Sequence, residues 1–172
     1  YHGIFPWLNG LAPVVGEEAW QIITASGDSN LALAILLLVA FKRPVIFAHA
    51  FWAALFGAIV TNLIKFHVIS TDRPFAVLGD DIFTTGVKLF EGSFPSGHSL
   101  TAMMLGALLL PYCRNRLSQV VLMSSVSLVI LSRVMVGAHW VVDILVGAGI
   151  GIILCSASFY LLTRVEFFRH KA

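Results

Sequence analysis

Three short clusters in the chain carry the residue types of phosphoryl chemistry. Lys65 is followed, after seven residues, by Arg73-Pro74; Pro95-Ser96-Gly97-His98 forms a second cluster; the third is Ser132-Arg133, five residues, His139, three residues, Asp143. Phosphoryl transfer is largely positioning plus charge stabilisation. Lys65, Arg73 and Arg133 supply positive charge for a phosphate, and an arginine fork can grip it through two parallel hydrogen bonds. Ser96-Gly97-His98 reads as the opening of a helix, whose free N–H groups favour an anion. Gly97 lets the backbone approach closely, and the Ser96 hydroxyl can donate. His139 and Asp143 are four residues apart, which on a helix stacks them on one face. A carboxylate behind an imidazole can hold its tautomer and leave the other ring nitrogen free to attack phosphorus. His98 is the natural general acid for the leaving oxygen. No carboxylate cluster accompanies these residues, so neither a metal nor another cofactor is expected.

Each cluster has a plainer reading on its own. Lys65 and Arg133 can anchor helix ends at an interface, His139 and Asp143 can be a structural pair, and Ser96-Gly97-His98 can be an ordinary helix start. Together they are harder to dismiss. Three cations, two histidines and an aspartate converging at one face of a membrane would be costly without a ligand. An ion path through a transporter or scaffold is the non-enzymatic alternative, and the His–His–Asp set argues against it. His49, inside an apolar run, reads as a packed, hydrogen-bonded histidine. His67 and Asp72 flank the first cluster and are candidates to tune it. Asp80, Asp81 and Glu91 read as solvated loop charges, and Phe75, Phe83, Phe90 and Phe94 as loop packing or the lining of a lipid entry.

The elements that must position these residues follow from composition. Of 172 residues, 58% are apolar and 12% charged, against about 45–50% and about 25% in soluble domains. The pattern is that of a membrane protein with one domain, 1–172. A spanning helix needs about 20 apolar residues. Five stretches qualify: 27–41, 44–64, 98–112, 117–133 and 140–163. Residues 7–25 read as an interfacial helix, and 66–97 as a long loop of the kind that carries function. Gly147, Gly149 and Gly151 would allow close helix approach. Cys113 and Cys155 lack ligand spacing and read as helix-packing residues. The net charge of +2 gives no case for nucleic acid as a partner, and nothing in the sequence sets the oligomeric state.

Hydropathy alone puts all three clusters on one side of the membrane. The other side receives Lys42, Arg43, Arg114, Arg116, Arg164, Arg169 and Lys171, seven of the eleven basic residues. By the positive-inside rule that side is cytoplasmic, so the C-terminus is inside and the candidate site faces the periplasm or exterior.

Ser132-Arg133-x5-His139-x3-Asp143 and Pro95-Ser96-Gly97-His98 resemble two signature motifs of the type 2 phosphatidic acid phosphatase superfamily, which includes vanadium haloperoxidases. The resemblance covers roughly 28–163. The first cluster departs from the pattern, with seven residues where the family usually has six. The resemblance implies an all-α polytopic transmembrane bundle in the bacterial inner membrane. It implies Lys65, Arg73, Ser96, Gly97 and Arg133 as phosphate ligands and a metal-independent reaction. His139 is then the nucleophile of a phospho-histidine, Asp143 its orienter and His98 the general acid. The implied substrate, held among membrane lipids, is a lipid phosphate or diphosphate of the undecaprenyl diphosphate, phosphatidylglycerophosphate, phosphatidic acid or lipid A class. A lipid-to-lipid phosphotransferase would use the same residues; a soluble haloperoxidase is at odds with five apolar stretches. Members of the family usually have six spans, and a further span upstream of Tyr1 is expected.

Overall fold

The computed structural model describes residues 3–41 and 44–169. Lys42, Arg43 and Lys171, which carry part of the positive-inside reading, lie outside them. Among the described residues the chain is helical, with no strand. Three short helices open it, α1 (Ile4–Asn9), α2 (Ala12–Val15) and α3 (Glu17–Ala25). The Ser26-Gly27-Asp28 breaker separates α3 from α4 (Ser29–Ala40), and the two helices meet at a bend of 49°. There follow α5 (Pro44–Leu63), α6 (Pro74–Leu78), α7 (Gly97–Leu109), α8 (Arg116–Met135) and α9 (Val141–Arg169).

Three segments are long and apolar enough to cross a membrane: 44–68, 116–135 and 141–161. The bent α3–α4 pair makes a fourth if it forms one span. The stretch expected at 98–112 differs in kind. It is a helix of 13 residues closed by a 3₁₀ turn at Leu110–Tyr112 around Pro111. At about 1.5 Å per residue its α-helical part is roughly 20 Å long, short of the roughly 30 Å hydrocarbon thickness.

α7 can be short because it is the internal strut of the bundle. Seven of its residues are buried, among them Leu100, Met104 and Leu108. One core cluster joins α1, α7, α8 and α9 through Phe5, Ala102, Ile130, Val134 and Ile144. A second joins α4, α5, α7 and α9 through Leu36, Ala50, Met104, Leu108 and Cys155. Outward positions on the long helices are large and apolar, such as Leu117, Val120, Leu145 and Ile153, the surface a bilayer wets.

Glycines set the α7–α9 spacing, with one revision. A Cβ on Gly147 would run into the Ser96 backbone, and one on Gly151 would lie 2.6 Å from the Leu100 carbonyl oxygen. These two, one turn apart, let α9 lie directly on α7. A Cβ on Gly149 would meet nothing within 4 Å, because that residue is on another face of the helix.

α8 starts at a capping box: the Asn115 side chain accepts from Ser118 N–H at 2.9 Å, and the Asn115 N–H reaches Ser118 Oγ at 3.4 Å. His49 is a buried packing residue, its Nδ1 3.1 Å from Ser158 Oγ on α9.

Candidate active site

The third cluster is assembled by a tight reversal between α8 and α9. Gly137, at φ +70°, makes the turn; a side chain there would be strained and would also strike Phe83. The Arg133 carbonyl accepts N–H groups from both Ala138 (3.0 Å) and His139 (3.1 Å), which gives the five-residue spacing its physical meaning. α9 begins only at Val141. His139 therefore precedes the helix, and the expected stacking of His139 and Asp143 on one helical face is corrected. Asp143 lies in the first turn, where Oδ2 accepts from the Trp140 N–H at 2.9 Å. This is the carboxylate half of a capping box, favoured by the helix dipole.

The imidazole of His139 is 2% exposed. Its Nδ1 lies 2.7 Å from the Ser93 carbonyl oxygen and 3.6 Å from Asp143 Oδ2. A carbonyl can only accept, so Nδ1 carries the proton and the neutral ring leaves Nε2 bare. The hydrogen-bond partner of Nδ1 is thus main-chain oxygen, not the aspartate expected from the sequence. Asp143 Oδ2 instead accepts from Ser93 Oγ at 2.5 Å, and its Oδ1 is buried without a hydrogen-bond partner. Burial lowers the His139 pKa; the neighbouring Asp143 carboxylate opposes this, and the Arg133 and Arg73 charges add to the lowering. The ring is held neutral.

Arg73 Nη1 lies 3.4 Å from His139 Nε2. The guanidinium is fixed by carbonyls of the loop and the turn: Nε donates to Glu91 (2.8 Å), Nη1 to Ala138 (3.0 Å) and Nη2 to Gly92 (3.2 Å). Arg133 donates from Nη1 to Thr24 Oγ1 on α3 at 2.5 Å. Lys65 interacts electrostatically with Arg73, Arg133 and Asp143, so the structure brings it into the same cluster. It sits in a π-helical turn, Ile64–Val68, closed by Ile69 N–H to the Ile64 carbonyl at 2.9 Å. Such a turn holds one more residue than an α turn, which takes up the seventh residue between Lys65 and Arg73.

The second cluster meets the third through the backbone, with Ser96 N–H donating to the Asp143 carbonyl at 3.1 Å. Ser96 is fully buried and caps α7, accepting from the Ser99 N–H (3.4 Å) and Ser99 Oγ (3.0 Å). Gly97 borders open space, since an added Cβ would meet nothing within 4 Å. His98 is partly exposed, its Nε2 4.0 Å from Asp28 Oδ2 at the α3–α4 bend.

A groove of about 380 Å³ begins at Gly97 and is lined largely by apolar residues of α4, α5 and α7, with Leu33, Leu36, Ala58, Leu100 and Met104 among them. Among the described residues no three His, Cys, Asp or Glu side chains gather as a metal-ligand set.

Residues outside the three motifs also build the site. Ser93, Thr24 and Asp28 have no motif to announce them; only Ser93, two residues before Pro95, lies close to one in sequence. Of the flanking residues, Asp72 contributes its carbonyl, which accepts from Trp140 Nε1 at 2.8 Å, while His67 is exposed. Asp80 pairs with Lys88 at 2.9 Å in solvent, and Lys88 lies over the Phe75 ring. Phe75 makes an edge-to-face contact with Phe90, which is itself largely exposed.

A helical membrane protein with a cationic, histidine-bearing site at one end of its helices is the architecture of a membrane phosphatase. Residues 46–166 match the PAP2 superfamily, and the chain belongs to that family as a phosphoric ester hydrolase. It is 32% identical over 175 residues to a lipid A 1-phosphatase of Rhizobium johnstonii, covering 94% of this chain and 68% of that protein. It is 30% identical to a lipid A 1-phosphatase of Rhizobium etli, over 91% of this chain and 74% of that one. Its fold resembles the crystal structure of Aquifex aeolicus LpxE, with TM-score 0.81, 22% identity and coverage of 91% and 93%. It also resembles the transmembrane PAP2-type phosphatidylglycerolphosphate phosphatase of Bacillus subtilis, with TM-score 0.73, 20% identity and coverage of 94% and 86%.

Proposed function

We propose that the protein removes a phosphate from a membrane lipid through a phospho-histidine on His139. The observation that carries this reading is the bare Nε2 of His139 beside Arg73 Nη1, at 3.4 Å. Lys65, Arg73, Arg133 and the first N–H groups of α7 hold the phosphate. Nε2 attacks phosphorus and the bond to the lipid oxygen breaks. His98, which burial and the Arg133 charge keep neutral in the free site, takes up a proton when the phosphate's negative charge binds beside it and gives that proton to the leaving oxygen. His98 then takes a proton from water, which attacks the phospho-histidine and releases inorganic phosphate. Cations already supply the charge that a metal would bring, so the reaction runs without one.

The groove at Gly97 supports a lipid substrate, since it would seat an acyl chain with its headgroup at the cations. The Rhizobium relatives favour a lipid A-type glycosyl phosphate as the first substrate to try, ahead of undecaprenyl diphosphate and phosphatidylglycerophosphate. The site faces the periplasm or exterior of the inner membrane, with the C-terminus in the cytoplasm.

The test is phosphate release from these three lipids by detergent-solubilised protein in EDTA. The wild type should turn over at least one, and His139→Ala none. Equal turnover by His139→Ala, or dependence on added magnesium, would sink the mechanism. Transfer of labelled phosphate to an added lipid alcohol in place of water would make the enzyme a phosphotransferase.

A further inference from the structure

Ser93 belongs to none of the three motifs, yet it hydrogen-bonds both His139 and Asp143. It is fully buried. Its carbonyl accepts from His139 Nδ1–H at 2.7 Å, and its hydroxyl donates to Asp143 Oδ2 at 2.5 Å. The segment is clamped from the other side by Thr71, whose carbonyl accepts from the Ser93 N–H (3.1 Å) and whose hydroxyl accepts from the Phe94 N–H (3.0 Å). Asp143 itself stands 3.6 Å from Nδ1, beyond hydrogen-bond range.

We propose that Ser93 is the positioning residue of the nucleophile, and that Asp143 acts on His139 through it. The carbonyl fixes the Nδ1–H tautomer, and the hydroxyl bond to Asp143 holds that carbonyl in place. Asp143 is in turn fixed by the Trp140 N–H, so the helix start, the serine and the ring form one strut. This assignment rests on His139 being the nucleophile.

Two measurements test it. In the first, Ser93→Ala, Asp143→Ala and the double variant are assayed on the lipid phosphate that the wild type turns over best. Ser93→Ala should lower kcat by about 10²-fold, the scale of a small misplacement of a reacting group, with KM little changed. Asp143→Ala, which removes the acceptor of the Ser93 hydroxyl, should then cost much less in the Ser93→Ala background than in the wild type, because its route to the ring is already cut. Full activity of Ser93→Ala, or losses that simply multiply, would overturn the proposal. The second measurement needs no turnover: ¹⁵N NMR of histidine-labelled protein. His139 should show protonated Nδ1 and bare Nε2 in the wild type and also in Asp143→Asn, whose amide oxygen can still accept from Ser93. A switch of tautomer in Asp143→Asn would show a direct aspartate–histidine bond and defeat the inference even if Ser93→Ala does not fold. Absence of wild-type turnover, or activity in His139→Ala, would count against the phosphatase reading instead, and the tautomer would still decide the role of Ser93.

Discussion

In the proposed mechanism the histidine that attacks phosphorus must be neutral when the substrate arrives. Burial makes it so at His139, the Arg133 and Arg73 charges push the same way, and Asp143 opposes them. A lowered pKa keeps the unprotonated fraction high at lower pH, so the acid limb of the kcat/KM profile should fall below the ordinary imidazole value of about 6.5. Arg73→Gln removes a cation next to Nε2; the pKa should rise and the limb move to higher pH, while phosphate binding weakens. A wild-type limb above 6.5, or one that Arg73→Gln leaves in place, would refute this account. At this scale much was legible in the sequence: the types, order and spacing of Lys65, Arg73, His98, Arg133, His139 and Asp143 mark the residues from which the candidate site is built. The partner of Nδ1 was not. Every residue has a carbonyl, so its role leaves no trace in residue type. Ser96 is ambiguous in sequence for a related reason: a serine before a helix can both cap and donate, and the structure shows the capping half, its oxygen accepting from Ser99.

Helix contacts are decided by single glycines. Gly151→Val would drive a side chain into the Leu100 carbonyl and the Met104 N–H, an overpacking that should cost about 1–3 kcal/mol. Gly149→Val, two residues away, meets open space and should stay within about 0.5 kcal/mol of the wild type. Thermal unfolding in detergent compares them, and equal losses would mean that α9 does not lie on α7 as described. Hydropathy placed the long helices to within a few residues, because apolar run length and the Lys/Arg flanks carry that information. It overestimated α7 as a span. Apolar content is the same whether a helix faces lipid or neighbouring helices, and α7 is wrapped by α4, α5, α8 and α9. It also gave no sign of the π-helical turn at Lys65 beyond one surplus residue in the spacing.

Beside the apolar contacts of Phe5, one buried polar side chain, Asn9, ties the N-terminal helices to the loop and to α8. Asn9 Nδ2 is shared by the carbonyls of Phe83, Val134 and Met135, and Oδ1 accepts from the Phe83 N–H at 2.8 Å. Asn9→Leu would strand buried backbone groups at about 1–3 kcal/mol. It should lower the melting temperature and open the 79–96 loop to protease, and an unchanged melting curve would contradict the role. The same segment delivers Thr24 to Arg133 and Asp28 to His98, so loosening it should reach the site as well.

The groove that starts at Gly97 runs between helices and is walled by α4, α5 and α7. A lipid seated there comes from the plane of the bilayer, not from bulk water. For such an enzyme the concentration that matters is two-dimensional: the fraction of lipid molecules in the surrounding leaflet that are substrate. Diluting micelles or vesicles with buffer at fixed composition should leave the rate per enzyme unchanged. Diluting the substrate with inert phospholipid should slow it, and saturation would then be expressed as a mole fraction.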